Sequence, residues 1–112
     1  MKRGDIVLVV FSGDFGKPRP ALVIQTDTAI PSEYITCIPI TGTLKRVPDV
    51  RIAIEPTPQN GLAKPSELMV DLVQTASKSR FRDVIGSIDA ETMILVERSL
   101  SLHLGLDCRL YR

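Results

Sequence analysis

The sequence is poor in the residues that build metal centres, disulfide frameworks and aromatic cores. Its 112 residues include two cysteines, Cys37 and Cys108, a single histidine, His103, and no tryptophan. The cysteines lie far apart, and with one histidine they match no metal-ligand spacing. We therefore expect no metal site and two reduced, structural thiols, although the sequence leaves open a bridge between Cys37 and Cys108.

Excess charge and long apolar runs are also missing. With 14 basic and 13 acidic residues the formal net charge is +1, which excludes a uniformly basic nucleic-acid-binding surface, so any site for a polyanion must be local. The first apolar run, residues 6–11, is too short for a membrane span or the core of a signal peptide. We predict a cytoplasmic protein that does not contact a membrane.

What is present is an ordinary globular balance, with 44% hydrophobic and 24% charged residues in 112. This length predicts a single domain over residues 1–112. Short β-branched runs separated by turn signals predict a mainly β fold, a small barrel or sandwich of about six or seven strands. Pro39 cannot donate to a ladder, so it must lie at an edge, a bulge or a strand end. The predicted strands cover residues 6–11, 21–25, 34–41, 50–55, 68–75 and 84–88.

A C-terminal helix follows the strands. Asp89 can cap its first turn and Gly105 marks its C-terminal cap. Leu95 and Leu102 lie off the main apolar stripe, so the helix is apolar on two sides, which suggests that a second copy of the chain covers it in a homodimer. The stripe consists of Met93, Val96, Leu100 and Leu104.

The stretch 16–24 combines cations with prolines and runs into an apolar strand. Lys17 and Arg19 each precede a proline, which pushes both backbones toward β or polyproline II. Residues two apart on such a segment share a face. A guanidinium fork beside an ammonium then suits a phosphate. The alternative is a solvated turn leading into a strand, with Lys17 and Arg19 in the hairpin loop, and the residue types alone favour it.

In order and spacing, six stretches together resemble the MazF/PemK-type toxins of bacterial toxin–antitoxin pairs. They are residues 3–9, 16–24, 38–41, 60–62, 69–75 and 84–89, and the resemblance covers roughly residues 2–106. It implies an SH3-like barrel with a C-terminal helix and a homodimer. It also implies a ribonuclease that cuts single-stranded RNA, including mRNA, without metal or cofactor until an antitoxin protein blocks it.

The same resemblance implies that Arg19 is the catalytic arginine and Thr41 its partner. The chemistry is consistent, because attack of a ribose 2′-hydroxyl on the adjacent phosphate builds negative charge that a cation and a hydroxyl donor would stabilise. Asp71 is the best candidate for the general base, and an ordinary polar position on a strand is an equally open reading of it. His103, on the helix, is not expected to be catalytic.

RNA binding calls for aromatic faces as well as charge. Phe15, near Lys17 and Arg19, is the candidate for stacking a base. Phe81, between two arginines, is the candidate for the rim of the site. Packing against the barrel is the alternative for both rings. The remaining candidates, which bind backbone phosphates or are simply solvated, are Lys45, Arg46, Lys78 and Arg80.

Two other classes of function remain open. One is a barrel that binds a partner without chemistry, as toxins of related fold poison a DNA topoisomerase through their terminal helix. Such a protein would tolerate loss of Arg19 but not of residues near its end, such as Leu106 and Tyr111. The other is an RNA-binding module without activity, which would shift RNA in a gel without shortening it.

Overall fold

The computed structural model describes residues 1–13, 15–28 and 33–106. In this part of the chain, strands are followed by one C-terminal helix, as the sequence predicts. The elements are β1 (Asp5–Val10), β2 (Pro18–Val23), β3 (Tyr34–Thr41), β4 (Arg51–Ile54), β5 (Ser66–Met69), β6 (Gln74–Ser77), β7 (Phe81–Ser87) and α1 (Ala90–Leu104), with 3-10 turns at Val70–Leu72 and Lys78–Arg80.

All strand pairs are antiparallel, and β3 is the central strand of the sheet. The order is β4-β5-β3-β2-β1-β7, and β6 also pairs with β3. β2 occupies one edge of β3, whereas β5 and β6 share the other edge, with β6 opposite residues 34–37 and β5 opposite Ile40 and Thr41. Among the described residues no ladder joins β4 to β7, so the sheet is barrel-like but not closed.

Pro39 lies where β3 changes partner. On one edge it pairs with Ala21 of β2. On the other edge the ladder to β6 ends at Cys37 and the ladder to β5 begins at Ile40. The missing N–H of proline therefore falls at an irregularity of the ladder, as its chemistry requires.

The core has two parts, one on each face of the sheet. Ile6, Leu22 and Ile38 lie in the larger cluster, which α1 covers. Val7 and Val9 point to the opposite face and join two smaller clusters. Strand β1 is thus buried on both faces, which explains its continuous apolar sequence.

The ends of the helix agree with the sequence. The Asp89 carboxylate accepts hydrogen bonds from the Thr92 amide at 3.0 Å and the Thr92 hydroxyl at 2.6 Å, and these bonds hold the pKa of Asp89 below its usual value. Gly105 ends the helix in the left-handed conformation, with φ of 68°. The predicted stripe is wrong at Leu104, which is 52% exposed because the packing of α1 on the core ends at Leu100.

Three strand predictions need correction. The predicted strand 68–75 is interrupted by the turn Val70–Leu72, in which the Val70 amide bonds to the Val50 carbonyl and Val70 is buried. β2 begins at Pro18, so Arg19 lies in the strand and not in the hairpin loop. The predicted connection at 77–82 reduces to the turn Lys78–Arg80.

Cys37 is a buried free thiol in β3, and burial raises its pKa to about 11. Cys108 and Tyr111 lie outside the described residues. No described helix has the length and apolarity needed to span a membrane.

Candidate active site

A cavity of about 390 Å³ opens where β2 and β3 separate. Strands β2 and β3 form one side of it, and the β5–β6 connection forms another. The lining residues are Phe11, Arg19, Pro39, Ile40, Thr41, Thr43, Met69, Leu72 and Gln74.

The strand register explains why Arg19 and Thr41 meet here. The β2–β3 ladder ends at the pair Ala21 and Pro39. Two residues further along their strands, Arg19 and Thr41 project to the same face, because strand side chains alternate with a period of two. Beyond Pro39, β3 pairs with β5, and the cavity lies in the space between β2 and β3.

The Thr41 hydroxyl is held by its own turn. Its Oγ1 accepts a hydrogen bond from the Thr43 amide at 3.1 Å. Because a hydroxyl can donate while it accepts, the proton of Thr41 stays available to a third group. Thr41 is half-buried, and Thr43 also lines the cavity. The turn therefore presents an oriented donor at the cavity wall.

Arg19 supplies the positive charge of the cavity. Among the described residues that line the cavity, Arg19 is the one with a positively charged side chain. Lys17 precedes β2, is exposed, and is not among the residues that line the cavity. The expected pair of neighbouring cations, Lys17 with Arg19, is therefore not found at this cavity.

Asp71 lies beside the cavity but does not line it. The structure places it in the turn Val70–Leu72 and not on a strand as predicted. Leu72, which follows it, and Met69, two residues before it, line the cavity. One carboxylate oxygen, Oδ1, is buried and has no hydrogen-bond partner among the described residues. This buried oxygen has unused capacity to accept a hydrogen bond, and the role of Asp71 as base stays a prediction.

The two phenylalanine candidates occupy opposite environments. Phe15 is fully exposed and has a positive φ of 53°, in a loop where Gly13 and Gly16 also have positive φ. A bulky residue in this conformation is strained, and such strain is concentrated at functional sites. Phe81 is half-buried and packs against the smaller core clusters, which is the packing alternative for this ring.

Lys45 and Arg46 belong to a loop held by Glu67. Their backbone amides each donate to the buried Glu67 carboxylate at 3.0 Å, and Arg51 lies 3.5 Å from it. These amide bonds, with the charges of Arg51 and Arg46, hold the pKa of Glu67 below its usual value. The Arg46 side chain lines a different cavity, of about 550 Å³, against α1 and β4. These two residues are therefore held away from the cavity of Arg19.

The remaining predicted cations are the first and last residues of the turn before β7. Lys78 and Arg80 are exposed, and the Arg80 guanidinium donates to the Val10 carbonyl at 3.2 Å. Neither residue lines the cavity. These two residues could contact RNA only if the bound RNA extends beyond the cavity.

Gln74 was missed by sequence reasoning. Its side chain lines the cavity, and its amide nitrogen donates to the Leu72 carbonyl at 3.2 Å. It follows the turn that breaks the predicted strand, so no periodic pattern pointed to its position. Among the described residues no group of three or more histidine, cysteine, aspartate and glutamate side chains could hold a metal ion.

Comparison with known proteins matches residues 2–104 to the family model described as PemK-like, MazF-like toxin of type II toxin–antitoxin system. A protein of Mycolicibacterium smegmatis named probable endoribonuclease MazF is 38% identical over 107 residues, which make up 95% of this chain and 98% of that protein.

Similar solved structures share the fold at lower identity. An endoribonuclease in complex with its cognate antitoxin, from mycobacterial species, has a TM-score of 0.79 at 19% identity and covers 96% of this chain and 97% of its own. Mycobacterium tuberculosis toxin MazF-mt6 has a TM-score of 0.77 at 23% identity, and the match covers 94% of this chain and 99% of that toxin. A MazE–MazF structure from Deinococcus radiodurans has a TM-score of 0.75 at 20% identity, and the match covers 96% of this chain and 97% of the chain in that structure.

Proposed function

Because the chain belongs to the family of PemK-like, MazF-like toxins of type II toxin–antitoxin systems, we propose that it is an endoribonuclease that cuts single-stranded RNA at the cavity of Arg19 and Thr41. The observation that carries the proposal is that both residues line one cavity. A cation and an oriented hydroxyl donor at one point are what a phosphate gaining negative charge requires.

In the proposed reaction the ribose 2′-hydroxyl attacks the adjacent phosphate. The 2′-oxygen gives its proton to a base and forms a bond to phosphorus, the bond to the 5′-oxygen breaks, and the 5′-oxygen takes a proton from water, so that a cyclic phosphate and a 5′-hydroxyl result. Arg19 stabilises the charge on the phosphoryl oxygens, and Thr41 donates to one of them. The Thr41 hydroxyl is oriented by its bond to the Thr43 amide before the substrate binds, which lowers the reorganisation that opposes the transition state. No step of this scheme requires a metal ion.

Asp71 is the proposed general base for the 2′-hydroxyl. A base must be able to accept a proton, and the unpartnered Oδ1 of Asp71 has that capacity. The proposal is supported by its position in the turn Val70–Leu72, since Leu72 and, two residues before Asp71, Met69 line the cavity. The turn would have to present the carboxylate to the substrate once RNA is bound.

Phe15 is the proposed stacking surface for a base of the bound strand. Its ring is fully exposed and does not pack in the core. Any base can stack on an aromatic face, so such a contact does not depend on the RNA sequence. The loop that carries Phe15 joins β1 to β2, the strand of Arg19. One segment thus connects the proposed stacking ring to the proposed catalytic arginine.

The exposed apolar side chains of α1 support the proposed homodimer. Ile94, Leu95 and Leu102 are 57%, 48% and 72% exposed. Apolar side chains that are exposed together mark interaction surfaces. We assign the remaining partner role to a cognate antitoxin, and we propose that the protein acts in the cytoplasm, where its mRNA substrates are.

The test is cleavage of a long unstructured RNA by the wild-type protein, Arg19→Ala and Arg82→Ala, with EDTA present. We expect wild type and Arg82→Ala to cut and Arg19→Ala to lose about a hundredfold or more in rate. Arg82 is an exposed arginine in β7 that does not line the cavity, so it controls for the loss of a positive charge. Mapping the fragment ends should give cyclic phosphate and 5′-hydroxyl termini.

Intact RNA with folded wild-type protein would overturn the proposal. A gel shift without cleavage would then favour an RNA-binding module, and absence of a shift would favour a barrel that binds a protein partner.

A further inference from the structure

Lys64 lies over the turn that carries Thr41. A Cβ atom added at Gly42 would overlap the Lys64 Cε and would lie 2.7 Å from the Lys64 Nζ. The nearest heavy atoms to that position all belong to Lys64. Gly42 stands between Thr41 and Thr43, both of which line the cavity, whereas Lys64 itself does not line it, so the Lys64 ammonium lies beside the turn and outside the cavity.

The segment that carries Lys64 is anchored at both ends. Before it, the buried Asn60 side chain accepts from the amides of Thr57 and Leu62, each at 3.0 Å, and donates to the Glu55 carbonyl at 2.8 Å. After it, the buried Ser66 hydroxyl donates to the Lys64 carbonyl at 2.9 Å. These bonds fix the backbone on both sides of Lys64, so less backbone order has to be imposed when a ligand binds there.

The Lys64 ammonium has no protein partner among the described residues. Neither the ion pairs nor the side-chain hydrogen bonds of that part of the chain involve its Nζ. The carboxylate nearest in sequence, Glu67, is buried and already holds Arg51 and two backbone amides. Lys64 is therefore an exposed cation beside the Thr41–Thr43 turn whose charge no carboxylate of the described residues neutralises.

We propose that Lys64 binds the RNA phosphate that neighbours the scissile phosphate. This inference rests on the proposed function, since it assumes that the scissile phosphate lies between Arg19 and Thr41. A lysine acts on phosphate as a point charge and does not need the planar fit of an arginine. Lys64 then holds the strand in register across the Thr41–Thr43 turn, while Arg19 acts at the reacting phosphorus. The role sought in Lys17 from the sequence falls to Lys64.

The test uses a 2′-O-methyl RNA oligonucleotide, which binds but lacks the attacking hydroxyl. Its affinity is measured against salt concentration for wild type, Lys64→Gln, Lys64→Arg and the control Lys2→Gln, an exposed lysine at the start of the chain. We expect Lys64→Gln to weaken binding about tenfold and to reduce the slope of log affinity against log salt by about 0.7. Lys64→Arg and Lys2→Gln should keep the wild-type slope.

A second variant tests the placement of the lysine. In Gly42→Ala the new methyl group displaces the Lys64 stem, so binding should weaken in the wild-type background and change little further in Lys64→Gln. With cleavable RNA, Lys64→Gln should raise KM while kcat stays close to wild type, because the contact is made equally before and during reaction.

The two proposals fail in different ways. If wild type neither binds nor cuts RNA, the proposed function is wrong, and so is the assignment of Lys64 that rests on it. If wild type cuts RNA while Lys64→Gln keeps the wild-type affinity and salt slope, only the assignment of Lys64 is overturned. Equal losses from Gly42→Ala with and without Lys64 would also overturn it.

Discussion

Arg19 and Thr41 lie on the same face of neighbouring strands, each two residues beyond the Ala21–Pro39 pair that ends the β2–β3 ladder. The strands need not bend toward each other to bring these side chains together, since the register already aligns them. Proline at position 39 marks the point at which β3 exchanges neighbours and the cavity opens. The meeting of the two proposed catalytic residues thus follows from β3 pairing with β2 along one edge and with β6 and then β5 along the other.

The role of the Thr41 hydroxyl can be tested separately from the role of the side chain's branched shape. Thr41→Val keeps the branched side chain and removes the donor, so we expect a loss of about a hundredfold in single-turnover cleavage. Thr41→Ser keeps the donor and should retain most of the activity. Equal activity of both variants would show that the hydroxyl is not used.

Asp71 should act in the chemical step and not in binding. Asp71→Asn keeps the volume and removes the proton acceptor, so kcat should fall by about a hundredfold or more while the affinity for 2′-O-methyl RNA is unchanged. Asp83→Asn, at an exposed carboxylate in β7, is the matched control. Wild-type turnover by Asp71→Asn would assign the base to another group.

Phe15 should matter for RNA and not for stability. Phe15→Ala should weaken RNA binding by about 1–3 kcal/mol, the usual worth of stacking one base, and leave Tm unchanged, because the ring is fully exposed. Phe81→Ala should do the reverse and destabilise by about 2 kcal/mol, because that ring packs on the core clusters. Unaltered RNA affinity in Phe15→Ala would refute stacking.

Glu67 should make stability depend on pH. Its folded-state pKa lies below the value of 4.5 expected without the protein environment, chiefly because of the Lys45 amide. A depressed carboxyl pKa contributes stability that is present above the unfolded value and is lost as pH falls through the folded one. We expect the wild-type Tm to fall progressively below about pH 4.5 and Glu67→Gln to show a shallower decline. Parallel curves for the two proteins would contradict this.

Gly61 should tolerate no side chain. Its φ is 69°, and a Cβ there would overlap the Ile85 carbonyl. A left-handed conformation by itself costs a residue with a side chain about 1–2 kcal/mol. We expect Gly61→Ala to lower the free energy of unfolding by more than this. Gly13→Ala is the control, because Gly13 also has positive φ, of 89°, but open space around it. Urea unfolding of the two variants measures the difference, and equal losses would rule out the overlap.

Several features followed from neighbouring residues alone. Asp89 and Gly105 set the ends of α1, because capping and left-handed termination are interactions within one turn. The strand runs at 6–11, 34–41 and 50–55 and the irregularity at Pro39 were likewise predicted. The assignment of Arg19 and Thr41 came from a family resemblance, and the shared cavity supports it.

Other features depend on pairing between distant segments. The run 68–75 looks like one strand, but β3 takes β5 and β6 along the same edge, and the chain must turn at Val70–Leu72 to pass from one ladder to the other. The same β3–β5 pairing, Thr41 opposite Glu67, carries Lys64 to Gly42. Sequence determined the local elements because their energies are local. Only the tertiary structure decided which side chains share the cavity, because that depends on register between strands far apart in the chain.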